Sequence, residues 1–408
     1  MDLIIFNDNS YRNFFPIAVT RPVSDIRVGI LKLRQRTAAF FEEENYKLVV
    51  PEYLKNLWKD RFKTKENFIN PEVKNDILCI NSRIKVTEES VKKIKEMPQN
   101  TFLTCGKEIA AVKTNKIESS ELDFETIKNI TDKLTGIEIK AKFWNYIWDF
   151  VNENAKMIEE DFKDFFYEGE NFYETEQGVT VLNPYNVWIG EGTQILPGTV
   201  IDASEGPAVI DENVKIMPNS VITGPVYIGK NSIVKAASKI YEGTSVGPVC
   251  KVGGEIENTI FQAYSNKQHD GFLGHSFIGE WVNIGADTNN SDLKNNYKNV
   301  KVYSHAHKDK IDSGTKFLGC FIGDHAKIGI NCSLNTGCVI DPGCNLYGKD
   351  LISDYVKSFS WGQFNNLERY KFDKFAETAD AVKKRRNSSI SDVEYDFYDK
   401  IFRNGSVI

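Results

Sequence analysis

Aliphatic residues recur every six positions through the second half of the chain. Ile189, Ile195 and Ile201 open the series. A longer train runs Ile210, Ile216, Ile222, Ile228, Val234, Ile240, Val246 and Val252. Phe272, Ile278 and Ile284 follow, and Ile322, Ile328, Leu334, Ile340 and Leu346 close it. Glycine follows the aliphatic residue at Gly190, Gly229, Gly247, Gly279, Gly285, Gly323 and Gly329. A small or β-branched residue stands four positions on, as at Thr193, Thr199, Val214, Ser220, Val226, Ser232, Ser238 and Thr244. An α-helix with 3.6 residues per turn cannot generate this period. The hexapeptide pattern predicts a left-handed parallel β-helix from about Val187 to Tyr347. Each hexapeptide makes one flat face and three faces make a coil. The aliphatic residue fills the interior, and the small residue lets the chain turn a corner.

Cys250, Cys320, Cys332, Cys338 and Cys344 fall on the small, inward position and read as core residues. Two stretches break the repeat, Glu255 to Gly271 and Asp287 to Thr315, and are expected to leave the coil as loops. The first part of the chain has another grammar. Leu3-Ile4-Ile5-Phe6, Lys47-Leu48-Val49-Val50 and Asp76-Ile77-Leu78-Cys79-Ile80 read as buried strands, with helical periodicity around Asp25 to Glu43. That alternation predicts an α/β domain. Trp144, Trp148, Val151, Ile158, Phe162 and Phe165 lie on one face of an amphipathic helix, read as the junction between domains. In the tail, Leu367, Phe375, Ala379 and Val382 predict one helix, and the capping box Ser391-Asp392-Val393-Glu394 opens another. The basic run Lys383 to Ser389 between them reads as a solvated turn, in preference to the competing reading that its basic residues touch an anion.

With 408 residues, two or more domains are expected. A net charge of −6 gives no footprint for nucleic acid. Met1-Asp2-Leu3-Ile4-Ile5-Phe6 does not read as a signal peptide, and no apolar run is long enough to span a membrane. Seven cysteines without a CxxC pair argue against a disulfide framework or zinc ribbon, and the expected compartment is the cytoplasm.

His269-Asp270-Gly271-Phe272-Leu273-Gly274, with Ile278-Gly279-Glu280-Trp281-Val282-Asn283-Ile284-Gly285-Ala286, resembles the acetyltransferase domain of the bifunctional N-acetylglucosamine-1-phosphate uridyltransferase/glucosamine-1-phosphate N-acetyltransferases. The whole chain is similar to sugar nucleotidyltransferases of the Bacteroidetes type, through the element Thr20 to Ile30 and the segment Ser358-Phe359-Ser360-Trp361-Gly362. The resemblance implies that His269 is a general base, that Asn283 lies near the sugar, and that Asn296 and Tyr297 lie near CoA. It also implies an acyl-CoA such as acetyl-CoA as co-substrate, a sugar phosphate or nucleotide sugar as acceptor, and a homotrimer. The chemistry agrees. Acyl transfer from a thioester needs a base near neutral pH, and histidine supplies one. The competing reading of His269 is a loop histidine without a role, and that of Asn283 an asparagine stacked inside the coil. The organisation expected is an α/β nucleotidyltransferase-like domain over residues 1–140, a helical linker over 141–180, a left-handed β-helix acyltransferase domain over 181–355 and a C-terminal helical extension over 356–408.

The chain also departs from that family. Glu257-Asn258 stands where the family carries lysines for the sugar phosphate, leaving Lys239 and Lys251 as candidates for that charge. Phe272 replaces a tyrosine. After the first strand the chain reads Phe6-Asn7-Asp8-Asn9-Ser10, without the Gly-rich phosphate loop. Val23 stands in place of a lysine, and Asn81 in place of a magnesium-binding aspartate. Arg21 and Arg27 remain as phosphate contacts, with ordinary surface arginines as the competing reading. The N-terminal domain is therefore expected to be degenerate, with Mg2+ needed only if it is active. Ser304-His305-Ala306-His307 raises a zinc-hydratase reading, placed off the repeat, and no metal is expected. Two alternatives stand beside the acyltransferase: a bifunctional nucleotidyltransferase/acetyltransferase, and a non-catalytic trimeric scaffold that binds sugar nucleotides.

Overall fold

The computed structural model describes every residue except 74–75, 116–119, 168–170, 172–174, 176 and 406–408. The chain divides into an α/β unit of Met1–Phe14, Thr20–Ile26 and Leu31–Tyr146, and a β-helical unit of Phe15–Val19, Arg27–Ile30 and Ile147–Ile408.

The α/β unit is built on a mixed six-stranded sheet, in the order Thr135–Glu138, Thr101–Cys105, Glu108–Thr114, Ile77–Asn81, Asp2–Phe6, Lys47–Val49. The three strands read from the sequence pair in parallel, and Glu108–Thr114 runs against them. Ile4, Phe6, Cys79 and Val112 fill one face. The helical stretch around Asp25 to Glu43 is shorter than expected. Only Leu33–Phe40 is α-helical, because Gly29 adopts φ +70° between the extended pairs Arg27–Val28 and Leu31–Lys32.

In the second unit the hexapeptides form three parallel ladders. Among the described residues one face carries nine strands, another nine parallel strands and a final antiparallel one, and the third is split into six and three. Register is strict: Ile222 pairs with Ile240 and Ile240 with Ile256, all fully buried. The coil cysteines lie inside, buried and unbridged. Ile240→Ala would open a cavity between two rungs and is expected to cost ~2–5 kcal/mol. A denaturant titration that moved by less than ~1 kcal/mol would show that the coil collapses around the gap.

Glu255 to Gly271 does not leave the coil. Its rungs are shortened but paired, with Val246 against Phe261 and Val252 against Lys267. Lys267 occupies an aliphatic position and is fully buried. Its ammonium donates to the carbonyls of Gly253 (3.3 Å), His269 (2.5 Å) and Asp270 (3.2 Å), which satisfies its three protons. Burial pushes its pKa down to about 8, against the pull of Asp270 and Asp287. The second stretch does depart, as an antiparallel hairpin of Lys301–Ser304 and Asp309–Asp312.

The junction helix runs Ile147–Asp161 and packs on the coil. Asn154 accepts from the Gly29 amide (2.7 Å) and donates to the Gly243 carbonyl (2.8 Å). Asp161 accepts from the Ile30 amide at 2.8 Å. A Cβ at position 29 would lie 2.6 Å from the Asp161 carboxylate, so this clasp requires glycine. At the far end Leu367 belongs to the strand Asn366–Arg369 rather than to a helix. The helices are Phe372–Lys384 and Asp392–Asn404, the latter capped by Ser391. The basic run is only partly a solvated turn, since Lys383 is buried in an ion pair with Glu394.

Candidate functional site: a basic pocket on the coil

Four outward positions on successive rungs of one face line up: Lys251 beside Asn266, Asn266 beside Asn283, and Asn283 beside Lys327. Each precedes an inward residue, so each side chain points out of the coil. At the adjoining corner the Tyr264 and Trp281 rings stack at 4.4 Å and 11°. The helix Phe372–Lys384 brings Thr378 and Val382 over this face, and the residues just after it bring Arg385 and Arg386. Together with Gln268 they enclose a pocket of about 310 Å³ whose lining holds four cationic side chains and no acid.

Like charges and burial act on these cations. Burial lowers the Lys251 pKa, and Arg386, Arg385 and Lys235 lower it further. Lys327 donates to the Trp281 carbonyl at 2.5 Å. Burial pushes its pKa down to about 7, opposed by Asp324. Arg386 reaches the Asn266 carboxamide at 3.3 Å. Such a pocket binds anions, and a flat ring can lie against the aromatic pair. Lys327 gains charge as pH falls through about 7. Sulfate, whose own charge is constant there, is therefore expected to bind several-fold more tightly at pH 6 than at pH 8. Calorimetry would measure this, and Lys327→Met should erase the difference. Binding independent of pH in the unaltered protein would contradict it. The same lysine opposes folding most at low pH, where its buried form must carry charge.

Lys251 and Asn283 thus share one pocket, and the outward position of Asn283 rules out its stacking inside the coil. His269 is exposed at the corner one residue past Gln268, with its carbonyl held by Lys267. Lys239 and Phe272 lie on another face, in register through Glu255, and Lys239 pairs with Glu255 at 3.1 Å. Asn296 and Tyr297 are exposed in the inserted loop and do not line the pocket. Lys327 and Trp281 were not singled out in the sequence, and Arg385 and Arg386 were read there as part of a solvated turn in preference to an anion contact. His305 bonds to Asp341 at 2.9 Å and His307 to Ser304 at 2.9 Å, so the two histidines engage separate partners.

In the α/β unit the loop after the first strand closes on itself. Arg83 donates to both carboxylate oxygens of Asp8 (2.9 and 2.9 Å through Nε) and is only 1% exposed. The Asn81 carboxamide donates to Asp8 (2.9 Å) and to the Ile109 carbonyl (2.9 Å), and its oxygen accepts from the Arg83 amide (2.9 Å). Arg83 already neutralises the Asp8 carboxylate, and Asn81 offers only a neutral amide, so these residues do not fit a magnesium ion. Neither arginine is an ordinary surface residue. Arg21 is fully buried. Burial alone would push the neighbouring Asp25 up, but Lys32, Arg34 and Arg21 outweigh it and hold that carboxyl well below its usual range. Arg27 groups with the coil, its guanidinium over the Tyr227 ring at 5.2 Å.

The fold joins an α/β unit to a coil of hexapeptide rungs. Residues 207–241 match the family model for bacterial transferase hexapeptide (six repeats), and residues 3–167 match the model for sugar nucleotidyl transferase. The chain is 32% identical over 166 residues to a bifunctional sugar-1-phosphate nucleotidylyltransferase/acetyltransferase of Sulfurisphaera tokodaii, covering 39% of each. It is 30% identical over 211 residues to the bifunctional protein GlmU of Thermotoga maritima, covering 46% of this chain and 42% of that one. An uncharacterized acetyltransferase, YaiX, of Escherichia coli is 29% identical over 181 residues, or 44% of this chain and 78% of that protein. The chain spans about two-fifths of the length of the two bifunctional relatives. A solved UDP-N-acetylglucosamine acyltransferase covers 58% of this chain and 83% of its own, at 15% identity and a TM-score of 0.31. A sugar nucleotidyl transferase-type domain is thus joined to hexapeptide repeats, and the curated relatives are named as transferases.

Proposed function

We propose that the β-helical unit transfers an acyl group from a CoA thioester to an amino or hydroxyl group of a sugar phosphate or nucleotide sugar. The observation that carries this reading is the acid-free pocket of Lys251, Lys327, Arg385 and Arg386 beside the His269 corner. Phosphate is the charge such a pocket takes, and both CoA and a nucleotide sugar bring it. His269 removes the proton of the acceptor as its lone pair attacks the thioester carbonyl. The tetrahedral oxyanion forms and is stabilised by backbone N–H groups of the coil. It then collapses to the amide or ester and releases the CoA thiolate, which leaves with the proton. The site residues lie on two faces, Lys251 and Asn283 on one and Lys239 and Phe272 on another, which supports a homotrimer in which neighbouring coils combine faces. Asn296 and Tyr297 then act on CoA from the inserted loop. Among the described residues no helix is long and apolar enough to cross a membrane, and we place the protein in the cytoplasm.

Thiol release from acetyl-CoA, measured with a panel of amino-sugar phosphates and nucleotide sugars, tests the reading. Turnover with at least one acceptor is expected. If no acceptor works and calorimetry detects no CoA binding, the trimeric scaffold replaces it.

The α/β unit is proposed to be degenerate for nucleotidyl transfer. Supplied with UTP, a sugar 1-phosphate and Mg2+, the protein is expected to release no pyrophosphate above background. The closed Asp8–Arg83 pair fills the loop where phosphates would bind. Efficient release would make the chain bifunctional instead.

A further inference from the structure

Glu257, His275 and Asp292 converge on the coil outside the basic pocket. Each is fixed by the backbone. The His275 amide donates to the Glu257 carbonyl (3.2 Å), the Gly319 amide to the His275 carbonyl (2.8 Å), and the Leu318 amide to the Asp292 carbonyl (2.7 Å). Asn290 clamps the Gly274 amide and carbonyl at 2.8 and 2.9 Å. The His275 Nδ1 lies 2.8 Å from an Asp292 oxygen and 3.9 Å from a Glu257 oxygen. One ligand atom from each of the three residues lies within 4.8 Å of the others.

We infer that these three side chains form a site for a first-row divalent cation, zinc foremost. At metal–ligand distances of about 2.1 Å, tetrahedral ligands sit roughly 3.4 Å apart, and the observed 2.8 and 3.9 Å bracket that spacing. The donor set is one imidazole and two carboxylates, which suits zinc, cobalt or manganese and leaves a position for water. Glycine at 274 is what lets Asp292 approach, since a Cβ there would lie 2.5 Å from its carboxylate. The charge is uncompensated. Among the described residues neither Glu257 nor Asp292 pairs with a lysine or arginine. The Phe317 ring, 5.4 Å from the imidazole, shields one side.

This inference does not rest on the acyl-transfer reading, because the probe is the metal alone. The full chain, stripped with chelator, is titrated with Zn2+ by calorimetry and with Co2+ by visible absorption. One saturable site per chain is expected, with a four- or five-coordinate cobalt spectrum. His275→Ala and Asp292→Asn should each weaken it ~10-fold or more, with circular dichroism unchanged. The isosteric Asp292→Asn change separates lost ligation from lost folding. No saturable binding overturns the proposal. So does binding that both variants keep, which would place the metal on other histidines.

Discussion

His269→Ala is expected to lower kcat for acyl transfer by ~10²–10⁴-fold while leaving CoA affinity nearly intact. In the proposed role the base acts only as the acceptor loses its proton, so its removal should raise the barrier without touching the groups proposed to hold phosphate. Tyr297→Ala should do the reverse and raise the apparent Kd for CoA first. The corner that carries His269 is fixed by Lys267, whose ammonium holds the His269 and Asp270 carbonyls from inside the coil. Steady-state thiol release with each variant makes the comparison. If His269→Ala keeps full kcat in an active protein, the base is another group.

Arg83→Met should destabilise the α/β unit by ~3–5 kcal/mol, because it leaves the buried Asp8 carboxylate without its counter-charge. Asp8 is 5% exposed and also accepts from Asn81, so water cannot replace the guanidinium. The double change Asp8→Asn, Arg83→Met should recover much of the loss, since the penalty comes from the stranded charge rather than from the missing bond. Urea titrations read by separate probes in the two units would show this as a shift of the first unit's transition alone. A single-variant shift below ~1 kcal/mol would mean that water reaches Asp8 once the guanidinium is gone.

The coil was legible because its signal is a period. Ile210 to Val252 repeats without a slip, and every residue of that train lies in the buried interior. The shortened rungs were not legible, for a local reason. Lys267 sits where an aliphatic residue belongs, and a lysine reads as surface unless its three carbonyl partners are known. Counting then loses phase, and Glu255 to Gly271 looks like a loop. The pocket was half legible. Lys251 and Asn283 drew attention through a family likeness, but their alignment with Asn266 and Lys327 depends on rungs of unequal length. Arg385 and Arg386 come from the tail, and nothing local says which face of the coil they cover. The α/β loop shows the opposite case. The missing glycines and Asn81 were plain in the sequence, but the inward turn of Asp8 onto Arg83 depends on a partner far along the chain.

The hairpin at the end of the coil has a consequence for assembly. A stack of parallel rungs has no intrinsic length, because every tip presents the same open edge that the previous rung used. Here Asn345 and Leu346 pair with Trp361 and Gly362, and the chain then doubles back, laying Asn366–Arg369 antiparallel on that last strand. The reversed strand offers the wrong polarity for another copy to continue the ladder, and the tail helices follow directly after it. On this one of the three faces the parallel ladder is therefore closed by the molecule's own chain, which removes that edge as a template for a further parallel rung.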